Sequence, residues 1–188
     1  MTDAIAGALK ANSARAIAAQ VTFVVIVGGL IAVARRYFDL HIGVPGHPGL
    51  PWMFFLVYGR GLMDRPGAAI FMGTSAAAWL GLFGVEKTLV YNLLLYVSVG
   101  SIVDVAAGSA RHRLSHPLAG LVAGATAHAG KYGFVIAHAK ILGLTKKFLL
   151  VGVLESFGLH LLFGALGGLA AGTVLWLAAR SDRGEIEA

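Results

Sequence analysis

Polar side chains recur at helical spacing in three apolar stretches of the second half of the chain. Residues four positions apart lie on the same face of a helix. Each stretch combines polar groups with glycine on one such face, and the three sets are Asn92, Tyr96, Gly100 and Asp104; Gly120, Gly124, His128 and Tyr132; Ser156, His160, Gly164 and Gly168. Lys131 and His138 lie beside the second set, and Glu155 lies beside the third. Rings that stack and groups that hydrogen-bond are suited to binding a small polar molecule.

These polar residues lie in a chain with the composition of a membrane protein. Of its 188 residues, 57% are hydrophobic and only 13% are charged, whereas soluble domains carry about 25% charge. This excludes an ordinary soluble globular protein, a disordered chain and a coiled coil. A polar group within a membrane span is costly, so each one is a candidate functional residue.

The apolar runs predict an all-α fold, a polytopic six-transmembrane-helix bundle in a single membrane domain, 1–188. The predicted helices cover about 16–34, 51–62, 67–84, 88–107, 117–142 and 148–179. The second run is short and either spans thinned bilayer or inserts part way. Three prolines in the first loop exclude a regular helix there.

An even number of spans places both termini on one side of the membrane. A slight excess of Lys and Arg on that side favours cytoplasmic termini in the cell inner (cytoplasmic) membrane. The candidate binding residues of the last three helices then lie in the external half of the bilayer, whereas Asp104 lies at the inner end. We therefore expect an outward-facing pocket, closed by the proline-rich first loop.

Each candidate binding residue has an expected role. Trp52, Tyr96 and Tyr132 would stack on or cover a ring. The residues expected to supply hydrogen bonds are Asn92, His138, Glu155 and His160. Lys131 would meet an anionic group or pair with Glu155. A simple Lys131–Glu155 ion pair, and histidines or tyrosines that bond only within the bundle, are the alternatives. Asp104, near Arg111 and Arg113, is expected to be structural.

Several kinds of site are not indicated by the sequence. The chain has no cysteine, which excludes disulfides and thiolate metal sites. Seven histidines occur without an HExxH or similar pattern, so no metal is predicted. No nucleotide-binding motif is present, no cofactor is predicted, and no basic block interleaved with aromatic residues suggests nucleic acid.

Stripes of small residues also occur at helical spacing. They comprise Ala69, Gly73, Ala77 and Gly81 in the third run, and Gly164, Gly168 and Gly172 in the last. Such stripes allow close helix packing in lipid, either within the bundle or against a partner membrane protein. Ala14 and Ala18, at the membrane entry of the first helix, are the candidate partner-docking positions.

Three segments resemble one known family. The segment GRGLMDRPGAAIFMGTSAAAWLGLFG, residues 59–84, is similar to the junction of the second and third helices in the substrate-binding S components of energy-coupling factor (ECF) vitamin transporters. YVSVGSIVDVAAG resembles the end of their fourth helix, and LHLLFGALGGLAAG resembles their last helix. The junction is most similar to that of the hydroxymethylpyrimidine/thiamine-type members.

The resemblance implies a binding subunit of an ABC importer rather than an enzyme. It would capture a small water-soluble nutrient from the external side and deliver it to a membrane coupling subunit and ATPase subunits. An AxxxA pattern on the first helix contacts the coupling subunit in this family, and Ala14 and Ala18 match that spacing, with Arg15 between them. The alternatives are a membrane enzyme acting on lipid or isoprenoid, a small channel or secondary transporter, and a structural subunit without a ligand.

Overall fold

Six helices form the part of the chain that the computed structural model describes, which is residues 2–38, 44–84, 88–110, 114–143 and 152–183, with side chains from residue 14 onward. The helices are α1 (Thr2–Tyr37), α2 (Gly49–Leu62), α3 (Ala68–Leu82), α4 (Leu89–Ser109), α5 (Pro117–Ile141) and α6 (Val153–Ser181). No strand occurs within these ranges. The predicted all-α class is therefore confirmed.

Local chemistry sets several helix starts. Thr88 caps α4, because its hydroxyl accepts a hydrogen bond from Tyr91 N at 3.4 Å, which satisfies one of the free amides of the first turn. His116 caps α5 in the same way through Leu118 N at 3.3 Å, and Pro117 follows at the first helical position, where its missing N–H costs nothing. Gly67, with φ +83°, makes the turn before α3, so that helix begins one residue later than predicted.

Three predicted boundaries differ more. α1 begins at Thr2 instead of near residue 16, because the alanine-rich segment before the apolar run also favours helix. α6 begins at Val153, and residues 148–151 of the predicted last helix lie outside the described residues. α2 starts at Gly49 and includes Pro51, since proline is tolerated in a first turn.

α2 is the central helix of the bundle. It packs against α1, α3, α4, α5 and α6, and buries Trp52, Met53, Leu56 and Val57 completely or nearly so. With 14 residues it is about 21 Å long, shorter than the ~30 Å hydrocarbon layer of a bilayer. A short helix is accommodated here because its neighbours, rather than lipid, surround it.

Glycines allow the closest helix contacts. Gly120 and Gly124 of α5 lie directly against Gly168 and Gly164 of α6, with no room for a Cβ on any of the four. Gly73 of α3 packs on the backbone of Tyr96 in α4 in the same way. The glycines of both stripes that lie in these contacts therefore serve packing within the bundle, whereas Gly81 is exposed.

Large apolar side chains cover the outside of the bundle. Phe71, Val105 and Leu154 are 65%, 69% and 84% exposed, which suits a surface in contact with lipid rather than water. By length and composition, three of the helices could cross a membrane, over Ala14–Tyr37, Leu89–Ser109 and Val153–Ser181. Ala68–Leu82 is a shorter apolar helix. A helical membrane protein is thus supported.

Candidate functional site

Five aromatic and imidazole rings form a continuous chain of contacts between four helices. We call Trp52, Tyr96, His128, Tyr132 and His160 the ring cluster. Trp52 of α2 lies at its centre, with ring centroids 5.5 Å from Tyr96 of α4 and 5.5 Å from His128 of α5. His128 is 4.7 Å from His160 of α6, which is 4.6 Å from Tyr132 of α5. The structure therefore brings residues from α2, α4, α5 and α6 into one site.

The ring cluster lies at one end of the bundle, which we call the Trp52 end. Trp52, Tyr96 and His160 come from the first halves of α2, α4 and α6, whereas His128 lies at the middle of α5 and Tyr132 in its second half. Asn92 lies one turn before Tyr96 on the same face of α4 and is completely buried. These helices alternate in direction, which is why residues far apart in sequence meet at a common height.

Positive charge borders the ring cluster. The Lys131 ammonium lies 5.4 Å from the centroid of the Trp52 ring, a distance at which a cation is attracted to the face of an indole. Lys131 therefore places a cation at the edge of the ring cluster.

The segment before α2 and the first residue of α2 pack against the two histidines. Gly49 is packed against the His128 ring, and Gly46 against His160, so that neither glycine has room for a Cβ without displacing a ring. Gly46 also has φ +80°, a conformation that side chains with a Cβ rarely adopt. We call residues 44–48 the strap, because this segment covers the histidine side of the ring cluster.

Backbone carbonyls fix the orientation of both imidazoles. His128 Nδ1 lies 3.0 Å from the carbonyl oxygen of His160, and His160 Nδ1 lies 2.7 Å from that of Ser156. A carbonyl oxygen can only accept, so each Nδ1 carries the proton and donates it. In the neutral ring, Nε2 then has a lone pair and acts as an acceptor.

Four buried polar atoms at the Trp52 end have no hydrogen-bond partner among the described residues. They are Trp52 Nε1, both amide atoms of Asn92 and His128 Nε2. Leaving such a group unsatisfied costs about 1–3 kcal/mol. Groups of this kind are rare in native proteins and often mark a place where a further molecule binds.

The structure does not join every predicted site residue to the ring cluster. His138 instead contacts Tyr91, with ring centroids 4.7 Å apart, and stacks on Phe134 at 6.4 Å. Glu155 lies in the first turn of α6 with its side chain exposed. No ion pair joins Glu155 to Lys131 within the described residues, so the structure does not support the alternative that these two residues neutralise each other.

Sequence reasoning passed over two important residues. His128 lies on the predicted polar face of the fifth helix but is not among the predicted ligand contacts, although it is the ring that links Trp52 to His160. The signal was its place on the same face as Tyr132, one turn away. Arg60 is the second, and it lies at the opposite end of the bundle.

Arg60 forms a buried ion pair at that opposite end. Its Nε donates to Asp104 Oδ1 at 2.6 Å, and Nη1 donates to the Met63 carbonyl at 3.1 Å. The other Asp104 oxygen accepts from Ile70 N at 3.1 Å, in the first turn of α3. The structural role expected for Asp104 is supported by this arrangement, with Arg60 as its partner; Arg111 and Arg113 lie outside the described residues.

The described residues contain no group of three or more His, Asp or Glu side chains that could hold a metal ion. The arrangement at the Trp52 end suits non-covalent binding, since it offers aromatic faces, hydrogen-bond groups and a nearby cation. No protein-family model, no curated protein and no solved structure matches this chain at a significant level.

Proposed function

We propose that this chain is the substrate-binding membrane subunit of an ECF-type ABC importer, which captures a small water-soluble nutrient from the external side. Its substrate is a vitamin or vitamin precursor, with the thiamine/hydroxymethylpyrimidine type favoured by the sequence of residues 59–84. All six helices cross the membrane, and both termini are cytoplasmic. The Trp52 end then faces outward.

One observation carries the proposal. Stacking rings, unsatisfied polar atoms and a cation meet at a single end of the bundle, under a glycine-containing strap. Concave sites that combine aromatic walls with a few convergent polar groups are the usual form of small-molecule sites. The residues of α2, α4, α5 and α6 are brought together there although Trp52 and His160 are more than a hundred positions apart in sequence.

The opposite end supports capture rather than open conduction. There, Arg60 is 1% exposed and its guanidinium is joined to Asp104, with Ala107 and Leu114 buried in the same half of the molecule. A channel needs a polar path through both halves of the membrane, whereas this arrangement offers a site on one side only. Release into the cell therefore requires a partner, which in this proposal is the coupling subunit.

The partner-docking positions fit this proposal in one respect. Ala14 and Ala18 are exposed on α1 and are thus available to a helix of a coupling subunit, and so is Arg15 between them. ATP hydrolysis takes place in the ATPase subunits, which agrees with the lack of a nucleotide motif in this chain.

The test is ligand binding by the purified protein. We expect native mass spectrometry of the protein, isolated from its host in detergent, to show a co-purifying small molecule. The variants Tyr96→Ala, Lys131→Ala and His160→Ala should each lose most of that molecule, whereas Ser98→Ala should retain it. Ser98 is the matched control because its hydroxyl bonds only to Leu94 O of its own helix, at 2.6 Å. Unchanged occupancy in all three site variants would reject this pocket, and turnover of a lipid by the isolated protein would favour an enzyme.

A further inference from the structure

Asn92 presents a complete and unused pair of hydrogen-bond groups. Its side chain is 0% exposed, and neither Nδ2 nor Oδ1 has a partner among the described residues. The two atoms lie side by side in one plane, with Nδ2 as donor and Oδ1 as acceptor. The complementary partner is an edge with an acceptor beside a donor, as in the two-bond contact between an asparagine and the edge of adenine.

The other two unsatisfied atoms have opposite and defined roles. Trp52 Nε1 can only donate. His128 Nε2 accepts in the neutral ring, because Nδ1 gives its proton to the carbonyl of His160. A molecule at the ring cluster therefore needs an acceptor for Trp52 and a donor for His128, in addition to the mixed edge that Asn92 requires.

From these atoms we infer that the site takes a flat nitrogen heterocycle with an N–H group beside a carbonyl or ring nitrogen, and that Asn92 reads this edge through two hydrogen bonds. The ring stacks among Trp52, Tyr96 and Tyr132. This inference rests on the proposed function and adds the chemical class of its substrate. The strap must shift when the ring enters, since Gly46 lies directly on His160.

Two matched pairs of probes test whether binding requires the N–H group at this edge of the ring. The first pair is uracil and its N,N′-dimethyl derivative, and the second is aminopyrimidine and dimethylaminopyrimidine. Within each pair the ring is retained and the N–H donors are removed. We expect the N–H compound of at least one pair to bind the purified protein, and its methylated partner to bind at least about tenfold more weakly, as for the loss of a hydrogen bond within a buried site. Titration followed by tryptophan fluorescence or calorimetry measures both affinities.

Variants assign the contact to Asn92. Asn92→Leu keeps a similar volume and should abolish selection between the members of a pair. It should also raise the melting temperature of the ligand-free protein, because it removes two unsatisfied buried atoms. If Asn92 only stabilised the fold, its replacement would lower the melting temperature instead. Trp52→Phe keeps a ring and should weaken binding about tenfold, while Trp79→Phe, which alters a tryptophan bonded to Val25 O, should leave binding unchanged.

The outcomes separate this inference from the proposed function. Equal binding of both members of each pair would overturn the inference that Asn92 recognises this edge, and so would an Asn92→Leu variant that still prefers the N–H compound. Neither result would contradict small-molecule capture. If no probe binds, the chemical structure of the co-purifying molecule tests the inference. A molecule with an N–H group beside a carbonyl or ring nitrogen supports it, and a molecule without such an edge overturns it. If no probe binds and nothing co-purifies, both the substrate class and the proposed function fail.

Discussion

Arg60 and Asp104 are the residues whose burial depends most strongly on each other. Arg60 is 1% exposed and the Asp104 side chain 9% exposed, so both charges are largely withdrawn from water. Arg60 Nη1 also lies 3.4 Å from Oδ1 of the exposed Asp64. Removing one partner of such a pair leaves an uncompensated buried charge. Asp104 additionally holds the first turn of α3 through Ile70 N, so the pair connects α2, α3 and α4.

We predict that Arg60→Met lowers the free energy of unfolding by about 3–5 kcal/mol. The reason is that the Asp104 carboxylate then remains buried without its guanidinium. Thermal denaturation in detergent measures the change, and Arg65→Ala serves as the control, because the Arg65 side chain is exposed and its described hydrogen bond is to Gln20 Oε1, at 3.0 Å. A melting temperature for Arg60→Met equal to that of the Arg65 variant would contradict a stabilising role for the pair.

This ion pair could not be predicted from the sequence. Arg60 and Asp104 are 44 positions apart, and no local pattern connects them, since their contact depends on how α2 and α4 cross. Asp104 was instead related to Arg111 and Arg113, the nearest cations along the chain. By contrast, Asn92 and Tyr96 were recognisable as a pair because residues four apart share a face of one helix.

At the scale of elements, α5 and α6 form the most extensive helix pair. Their contact surface is nearly bare backbone, with Gly120, Gly124, Gly164 and Gly168 facing each other. Close approach lets many weak van der Waals contacts add up, which is a main source of helix association in lipid. The pair also sets the position of His128 and His160, which lie one turn beyond Gly124 and before Gly164.

We predict that Gly168→Ala destabilises the protein by about 1–3 kcal/mol, because the added Cβ meets the backbone of Gly120 and Gly124. Gly133→Ala is the matched control, since a Cβ at this helical position meets nothing within 4 Å. The control should be neutral or more stable by up to ~1 kcal/mol, as alanine favours helix over glycine. Equal melting temperatures for the two variants would show that the α5–α6 contact is looser than described.

Helical periodicity explains which polar residues of α6 reach the ring cluster and which do not. His160 follows Ser156 by four positions and reaches the ring cluster. Glu155 is the immediate neighbour of Ser156, but one residue turns an α-helix by about 100°, which directs its carboxylate outward. Proximity in sequence suggested a shared site, whereas the rotation of the helix separates the two residues.

At the scale of the whole molecule, an apolar exterior encloses an interior of small, aromatic and polar residues. The need for every backbone group in lipid to be hydrogen-bonded makes helices predictable from apolar runs, and this accounts for the agreement on the all-α class. The order in which helices pack was not predictable, because it depends on glycine contacts and on the central position of α2. The number of spans and the side of each terminus remain part of the proposal.

Labelling of single cysteines tests the proposed orientation, since the chain has none of its own. Lys140 is exposed near the end of α5, at the Trp52 end, and Ser181 is exposed at the end of α6, at the opposite end. We expect Lys140→Cys to react with a membrane-impermeant maleimide on intact cells, and Ser181→Cys to react only after permeabilisation. The reverse pattern would place the ring cluster on the cytoplasmic side and contradict nutrient capture from outside.

Substitution on α1 tests the proposed partner. Ala18→Leu adds bulk to an exposed position, so the isolated protein should keep its melting temperature and its ligand. We predict loss of the co-purified coupling subunit and ATPase subunits in this variant. Ala78→Leu, an equally small and exposed position on α3, should retain them, and retention by both variants would place the docking surface elsewhere.

The enclosed position of α2 has a consequence for biogenesis. Gly167 of α6 packs on the backbone of Leu50 and on Met53, and Leu175 packs on Gly61, so α2 obtains part of its surroundings from a helix that is synthesised much later. Until α6 has been synthesised, α2 lacks that wall. A nascent chain stalled before α6 would therefore expose this face of α2 to membrane chaperones and quality-control proteases.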